Sequence, residues 1–298
     1  WRDWSSDVCS SDLDRCDLWV GTQAPSRAQD QAAKLTGLPL DAVHVHTQLI
    51  GGAFGRRGEW DYVLEAVDLA RRVDAPVKVM WSRADDFKHD FYRPAVANRL
   101  AACVDADGRL IAWAHRLAGP SVARRRSPEL LARGHDFLLT QGADDMPYAI
   151  QNLHVDYHEV DLGVPVGFWR SVGHSHTGVA VECFLDEVAR AARRDPLEFR
   201  ISMLGDDPRM RLVLEKAASA AGWGRRLPRG RGLGIACMES YGTRVAQVVE
   251  VEVRGRKLRV HRVVCVVDCG TVVHPGIVTQ QMQGARSEEH TSELQSRQ

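Results

Sequence analysis

From Val43 onward apolar and polar side chains alternate with period two. Val43-His44-Val45-His46-Thr47 runs on into Leu49-Ile50, which predicts a strand. The cluster Gly51-Gly52-Ala53-Phe54-Gly55 breaks the alternation. Beyond it Tyr62, Val63, Ala66, Leu69, Ala70 and Val73 recur on one helical face, and Pro76 precedes another strand over 77–81. Strand, glycine turn, helix and strand form an α/β pattern. Upstream, Leu18-Trp19-Val20 is a short apolar run. Ser26 is placed to cap a helix over about 27–35, which Gly37 closes.

Strands are expected over 97–104 and 110–118, with Asp107-Gly108 in the turn of a hairpin. Residues 119–151 carry Arg124-Arg125-Arg126 among scattered Gly and Pro and read as an irregular insertion. A strand follows over 152–160, then a loop over 163–173. Helices are expected over 177–192, 196–204 and 210–221, and strands over 243–253 and 258–267 around Arg254-Gly255-Arg256. The fold class is α/β in a mixed α+β arrangement. Its parts are 14–118 and 152–285, with the insertion between them.

The chain has 298 residues, 39 basic and 39 acidic, 44% hydrophobic and 26% charged, the composition of a globular protein. The even charge argues against a nucleic-acid partner, and no apolar run approaches the roughly 20 residues of a membrane span. Seven cysteines are too few for a disulfide scaffold. The two ends change this arithmetic. The codons TGG-AGT-TCA-GAC-GTG-TGC-TCT-TCC-GAT-CT spell Trp4 to Leu13, and their reverse complement spells Arg286 to Leu294 and opens Gln295. Residues 1–13 and 286–298 are therefore expected to be non-native, adapter-derived and without regular structure. The 272 residues between them hold 36 basic and 33 acidic side chains, net +3, and read as an internal piece of a longer polypeptide.

Candidate chemistry begins at Gly51 to Arg57. Such a turn lets backbone N–H groups approach an oxyanion or a flat cofactor; the plainer reading is a tight turn without a ligand. It is neither a dinucleotide fingerprint nor a P-loop. His44 with His46, and His174 with His176, are spaced to share a strand face. A zinc-dependent hydrolase built on them is one alternative, and hydrogen-bonded or solvent-facing histidines are the other. Cys237, Cys265 and Cys269 lack C-x-x-C spacing and read as buried free thiols. Within Gly167 to Gly173, Arg170 beside Phe168 and Trp169 could bind an anion, stack on a ring or cap backbone carbonyls. No G-x-S-x-G elbow is present.

Taken in order, Gly21-Thr22-Gln23-Ala24-Pro25, Gly51 to Arg57, Trp81-Ser82-Arg83, His89 to Pro94, Val164 to His176, Asp195 to Arg200, Val267 to Gly270 and Gln281 to Gly284 form an ordered set. This set resembles the molybdenum-cofactor subunit of the xanthine dehydrogenase/aldehyde oxidase superfamily. The run Phe168 to His176 and the doubled Arg56-Arg57 are similar to the isoquinoline 1-oxidoreductase β-subunit branch. The resemblance covers essentially all of 14–285.

It implies a molybdopterin cytosine dinucleotide whose molybdenum takes no protein side chain as ligand. It further implies that Phe54 and Gly55 offer backbone N–H groups beside Gly52, that Gln23 hydrogen-bonds the cofactor, that Phe168 and Arg170 line the pocket, and that Gln281 adds a contact. The implied reaction is hydroxylation of an N-heterocycle or aldehyde with water as oxygen source, electrons leaving through a small 2Fe-2S subunit. The family's general-base glutamate lies beyond this stretch, so no catalytic residue is assigned. Glu182, Glu187 and Glu239 read as surface carboxylates, and the isolated chain is expected to be inactive. The departures are Ala53, where a third glycine is usual, and Gln283, where a glutamate is usual. The compartment, periplasmic or cytoplasmic, is left open.

Overall fold

The computed structural model describes residues 6–11, 14–73 and 75–295. The remaining parts of the expected non-native ends, 1–5, 12–13 and 296–298, lie outside the described residues. Two compact units divide the chain. The first takes Trp1–Ala97, Ala118–Leu139 and Tyr157–Val172; the second takes Asn98–Leu117, Thr140–Asp156 and Gly173–Gln298.

In the first unit the order is β1 (Ser6–Ser11), β2 (Cys16–Val20), α1 (Pro25–Thr36), β3 (Val43–Thr47), α2 (Asp61–Ala70), β4 (Val77–Met80) and α3 (Arg83–His89). The sheet order is β3-β2-β1-β4. β2 and β3 are parallel around the α1 crossover, as an α/β pattern requires, and β1 runs antiparallel between β2 and β4. Helix α1 starts earlier than expected. Pro25 occupies its first turn, where the missing N–H costs nothing, so Ala24 rather than Ser26 is the N-cap. The core joins Cys16, Leu18 and Val20 of β2 to Ala28, Ala32 and Ala33 of α1 and to Tyr62, Val63, Ala66, Val67 and Ala70 of α2. Leu69 and Val73, expected in that stripe, are exposed; Val67 completes it.

The stretch read as irregular carries α4 (Val122–Arg126), a 3-10 turn over Pro128–Arg133 and α5 (Phe137–Thr140). Ser121 caps α4 by accepting the Arg124 N–H at 3.0 Å and donates to buried Asp136 at 2.6 Å. Val122, Ala123, Leu138, Leu139 and Val166 make a small core of their own.

The expectation that both ends lack structure fails on the described residues. Ser6–Ser11 is β1, because strand pairing draws on backbone N–H and C=O and asks little of side chains. The helix at the other end continues to Gln295 through several good helix formers.

The second unit holds most of β5 (Ala97–Val104), β6 (Leu110–Gly119) and β7 (Asn152–Glu159), a sheet of order β5-β6-β7. The β5–β6 connection is the expected hairpin; Asp105 Oδ1 accepts the Asp107 and Arg109 N–H groups. Helices α6 (His174–Ala191), α7 (Pro196–Met203) and α8 (Pro208–Ala221) precede β8 (Arg231–Ser240), β9 (Thr243–Arg254), β10 (Lys257–Asp268) and α9 (Pro275–Gln295). β9 is central and antiparallel to both neighbours. The core runs from Trp113 through Leu185, Phe199, Met210 and Leu214 to Ile235 and Val248. Truncating one such leucine to alanine typically costs about 2–5 kcal/mol.

Glu182 is not a surface carboxylate. It is buried and accepts from Tyr148 Oη at 2.7 Å, Arg200 Nε at 3.0 Å and the Cys237 N–H at 3.0 Å. Arg200, wholly buried, also donates to Asp186 at 2.6 Å. Such a pair persists only when each hydrogen-bonding valence is met, as here. Burial pushes the Cys237 thiol and the Tyr148 phenol well above their ordinary ranges. Cys265, within β10, and Cys269, just beyond it, both expected to be buried, are only half-buried. Among the described residues no helix is long and apolar enough to cross a membrane.

Two outcomes follow from this burial. Thiol labelling with mass-spectrometric mapping is expected to modify Cys103 and Cys183, which are exposed, while Cys16 and Cys237 react only after denaturation. His115, fully buried with Nε2 donating to Asn98 Oδ1 at 2.8 Å, is lowered from 6.5 to about 4 by burial and then by the nearby His176. The unfolded chain therefore takes up this proton first. Stability is complete above pH 6.5 and falls as pH drops from 6.5 to about 4. Urea denaturation across that window is expected to show a slope that His115→Gln flattens.

Candidate functional site

One backbone carbonyl organises the glycine turn. The Arg57 oxygen accepts the Gln23 N–H at 2.9 Å, the Thr22 hydroxyl at 3.0 Å and the Tyr62 hydroxyl at 2.9 Å. The Arg57 Nε donates to Gly21 O at 2.8 Å, and its guanidinium lies 3.9 Å from the Tyr62 ring centroid. Residues 21–24 are thereby fixed beside the turn that follows β3. At that position Gln23 Oε1 accepts the Gly55 N–H at 3.0 Å. The Gly55 amide, expected to face a ligand, is thus engaged by Gln23, whose Nε2 has no partner among the described residues.

The turn itself is left-handed at Phe54, φ 53°, and at Gly55, φ 92°. A Cβ on Gly55 would stand 2.6 Å from the Phe168 carbonyl oxygen, so only glycine permits that approach. The loop carrying Phe168 is strained in turn, with Ser171 at φ 71° and Val172 at φ 44°. Arg170 is exposed and stacks on the half-exposed Phe54 ring, 4.6 Å from its centroid. Trp169 Nε1 donates to Phe91 O at 2.7 Å. Six residues expected at one site, Gln23, Gly52, Phe54, Gly55, Phe168 and Arg170, therefore belong to two touching loops and the β2–α1 connection of the first unit. Gln281 is exposed on α9 in the second unit.

Sequence reasoning noted Arg56-Arg57 and Arg124-Arg125-Arg126 but not the carboxylates they meet beneath these loops. Glu59, 2% exposed, receives a fork from Arg125 at 2.8 and 3.1 Å and lies 3.5 Å from Arg126. Arg56 pairs with Asp61 at 2.9 and 2.7 Å and with Asp90. Burial alone would lower the Arg56 guanidinium, but the two carboxylates raise it. A groove of about 460 Å³ opens nearby, with Asp61, Trp81 and Phe91 in its wall. The one signal in the sequence was the crowding of arginines around the motifs.

His44 and His46 share a face of β3, as expected, whereas His174 and His176 do not lie on a strand. His46 is engaged by Asp17 at 2.8 Å and stacks on Trp19 at 4.7 Å. His174 and His176 sit in the first turn of α6, where a spacing of two does not put side chains on one face. Among the described residues no three His, Cys, Asp or Glu are placed to hold a metal ion.

The residues present fit a flat, anionic cofactor. A neutral amide has donors to spare, and a guanidinium stands over an accessible ring.

Comparison with known proteins agrees. A family model described as a molybdopterin cofactor-binding domain matches residues 7–204, and a second model of the same description matches 215–288. Isoquinoline 1-oxidoreductase subunit beta of Brevundimonas diminuta is 34% identical over 281 residues, covering 90% of this chain and 35% of its own length. The pyrroloquinoline-quinone membrane-bound aldehyde dehydrogenase of Gluconacetobacter polyoxogenes is 28% identical over 300 residues, covering 90% and 39%. This chain thus spans between a third and two fifths of the length of these relatives. The crystal structure of quinoline 2-oxidoreductase from Pseudomonas putida 86 shares the fold, with a TM-score of 0.63 at 19% identity over 82% of this chain and 34% of that one.

Gly55→Ala is expected to destabilise the first unit by about 3 kcal/mol or more, combining left-handed strain with overpacking against Phe168. Gly37→Ala, at φ 79° with open space around it, is expected to cost only about 1–2 kcal/mol. Paired urea titrations of the two variants check the difference.

Proposed function

Because this chain belongs to the family of molybdopterin cofactor-binding domains, we propose that the loops around Gln23, Phe54 and Arg170 hold the pterin of a molybdenum cofactor in its cytosine dinucleotide form. Gly55 lets the Phe168 loop close on the turn, Gly52 and Phe54 border the flat ring, and the Gln23 Nε2 donates to the cofactor. Phe168 forms the wall behind Gly55, and Arg170 meets negative charge. When bound, the cofactor supplies a two-electron oxidation that inserts oxygen from water into a substrate carbon. These residues of the chain bind and orient it; a glutamate elsewhere in the parent polypeptide serves as general base, and the isolated chain does not turn over. The substrate is an N-heterocycle or an aldehyde, and a small 2Fe-2S subunit takes the electrons. The names of the relatives, isoquinoline oxidoreductase and aldehyde dehydrogenase, favour that substrate class.

The observation that carries this reading is the meeting of three motifs at Gly55. Gln23 binds its N–H from 32 residues away, and the Phe168 carbonyl closes on its Cα. In the parent holoenzyme, Gln23→Ala and Arg170→Ala are each expected to lower molybdenum content or kcat/KM at least about tenfold, the worth of one hydrogen bond to a charged group. Far-ultraviolet circular dichroism should stay unchanged, with melting unaltered in Arg170→Ala and only slightly lowered in Gln23→Ala, which also gives up the bond to the Gly55 N–H. A parent enzyme that oxidises its substrate without molybdenum, or variants that retain full metal and rate, would overturn the proposal.

A further inference from the structure

Glu59 is almost wholly buried, its side chain 1% exposed, and it faces two guanidiniums. Arg125 reaches it with a fork, and the same Arg125 Nη2 donates to the Val166 carbonyl at 3.2 Å. Arg126, its side chain 11% exposed, lies 3.5 Å from the carboxylate and 4.9 Å from the Phe168 ring centroid. On the other side Glu59 directly follows the glycine turn, its own N–H closing the 3-10 turn onto Arg56 O at 3.1 Å. Gly167 packs so tightly that a Cβ there would stand 3.0 Å from Glu59 Oε1 and 2.7 Å from Phe91 Cβ. The arginines are held in place by α4, whose Ser121 cap bonds Asp136 and whose Val122 and Ala123 are buried.

We propose that Glu59 is a positioning residue: through Arg125 and Arg126 its carboxylate sets where the Val166–Arg170 segment stands against the Gly51–Gly58 turn. The inference rests on the cofactor-site reading above, because those two loops are the ones assigned to the pterin. Fork geometry makes it directional. Two parallel N–H···O bonds fix both distance and plane, which apolar packing of Val166 and Phe168 alone does not.

The test compares wild type with Glu59→Gln, Glu59→Asp and Arg125→Lys by hydrogen exchange and mass spectrometry on this chain. Glu59→Gln is expected to speed exchange about tenfold or more in both 53–58 and 166–172, leaving α1, α2 and β3 at wild-type rates. Glu59→Asp should restore part of the protection. Arg125→Lys keeps the charge and loses the fork; it gives the same pattern and serves if Glu59→Gln does not fold. Exchange that changes in neither loop or in one only, or that rises equally through α1, α2 and β3, overturns the proposal. In the parent holoenzyme, Glu59→Gln should also alter the circular dichroism of bound cofactor and lower molybdenum per chain. If the wild-type parent holds no molybdenum while both loops loosen as stated, the cofactor reading fails and the positioning role stands.

Discussion

The Arg57 carbonyl oxygen is the point on which the first unit's loops depend. It takes three donors, one from backbone and two from hydroxyls, contributed by the β2–α1 connection and by α2. A half-buried carbonyl shielded from water must be satisfied by the chain, and each donor must come from a fixed direction. Meeting that demand brings residues 21–24 against the glycine turn, and Gln23 reaches Gly55 as a consequence. The side chains that would touch a ligand are thus arranged by a peptide group that would not.

The two units bury charge by the same rule. In the second, Arg200 is shared by Glu182, Asp186 and the Pro196 carbonyl, which locks α6 to α7, while Glu182 also binds the backbone of β8. In the first, Glu59 joins α4 to the end of the glycine turn. Replacing buried ion pairs with apolar residues is often neutral for stability. What the pairs add is orientation, and in the first unit that orientation falls on the loops themselves.

Much of the fold was legible because its signals are local. β3, α2, the Asp107-Gly108 hairpin and the Asp195-Pro196 start of α7 follow from alternation, helical spacing, turn chemistry and capping. The missed elements have weak signals of their own: one depends on a remote partner and one is short and polar. β8 begins Arg231-Gly-Leu-Gly and has weak strand propensity, but β9 supplies its ladder. α3 is short and polar, stabilised by the Ser82–Asp85 capping box. Glu182 looked like any helical carboxylate because its spacing does not reveal Arg200 eighteen residues on. The structure brings six residues of the ordered motifs, Gln23, Gly52, Phe54, Gly55, Phe168 and Arg170, onto two touching loops and the β2–α1 connection. Glu59 faces inward, and no motif of the outer surface includes it.

Val172 gives the loop geometry a further meaning. A β-branched residue at φ 44° is held in a conformation it disfavours, and its side chain packs with Phe168 against Val122, Leu139 and Val166. The apolar cluster therefore acts as the anvil on which the loop is bent. A methyl group gained or lost at Val122 or Leu139 would relax the bend from behind, so the shape the loop turns outward is open to change through residues that never reach the surface.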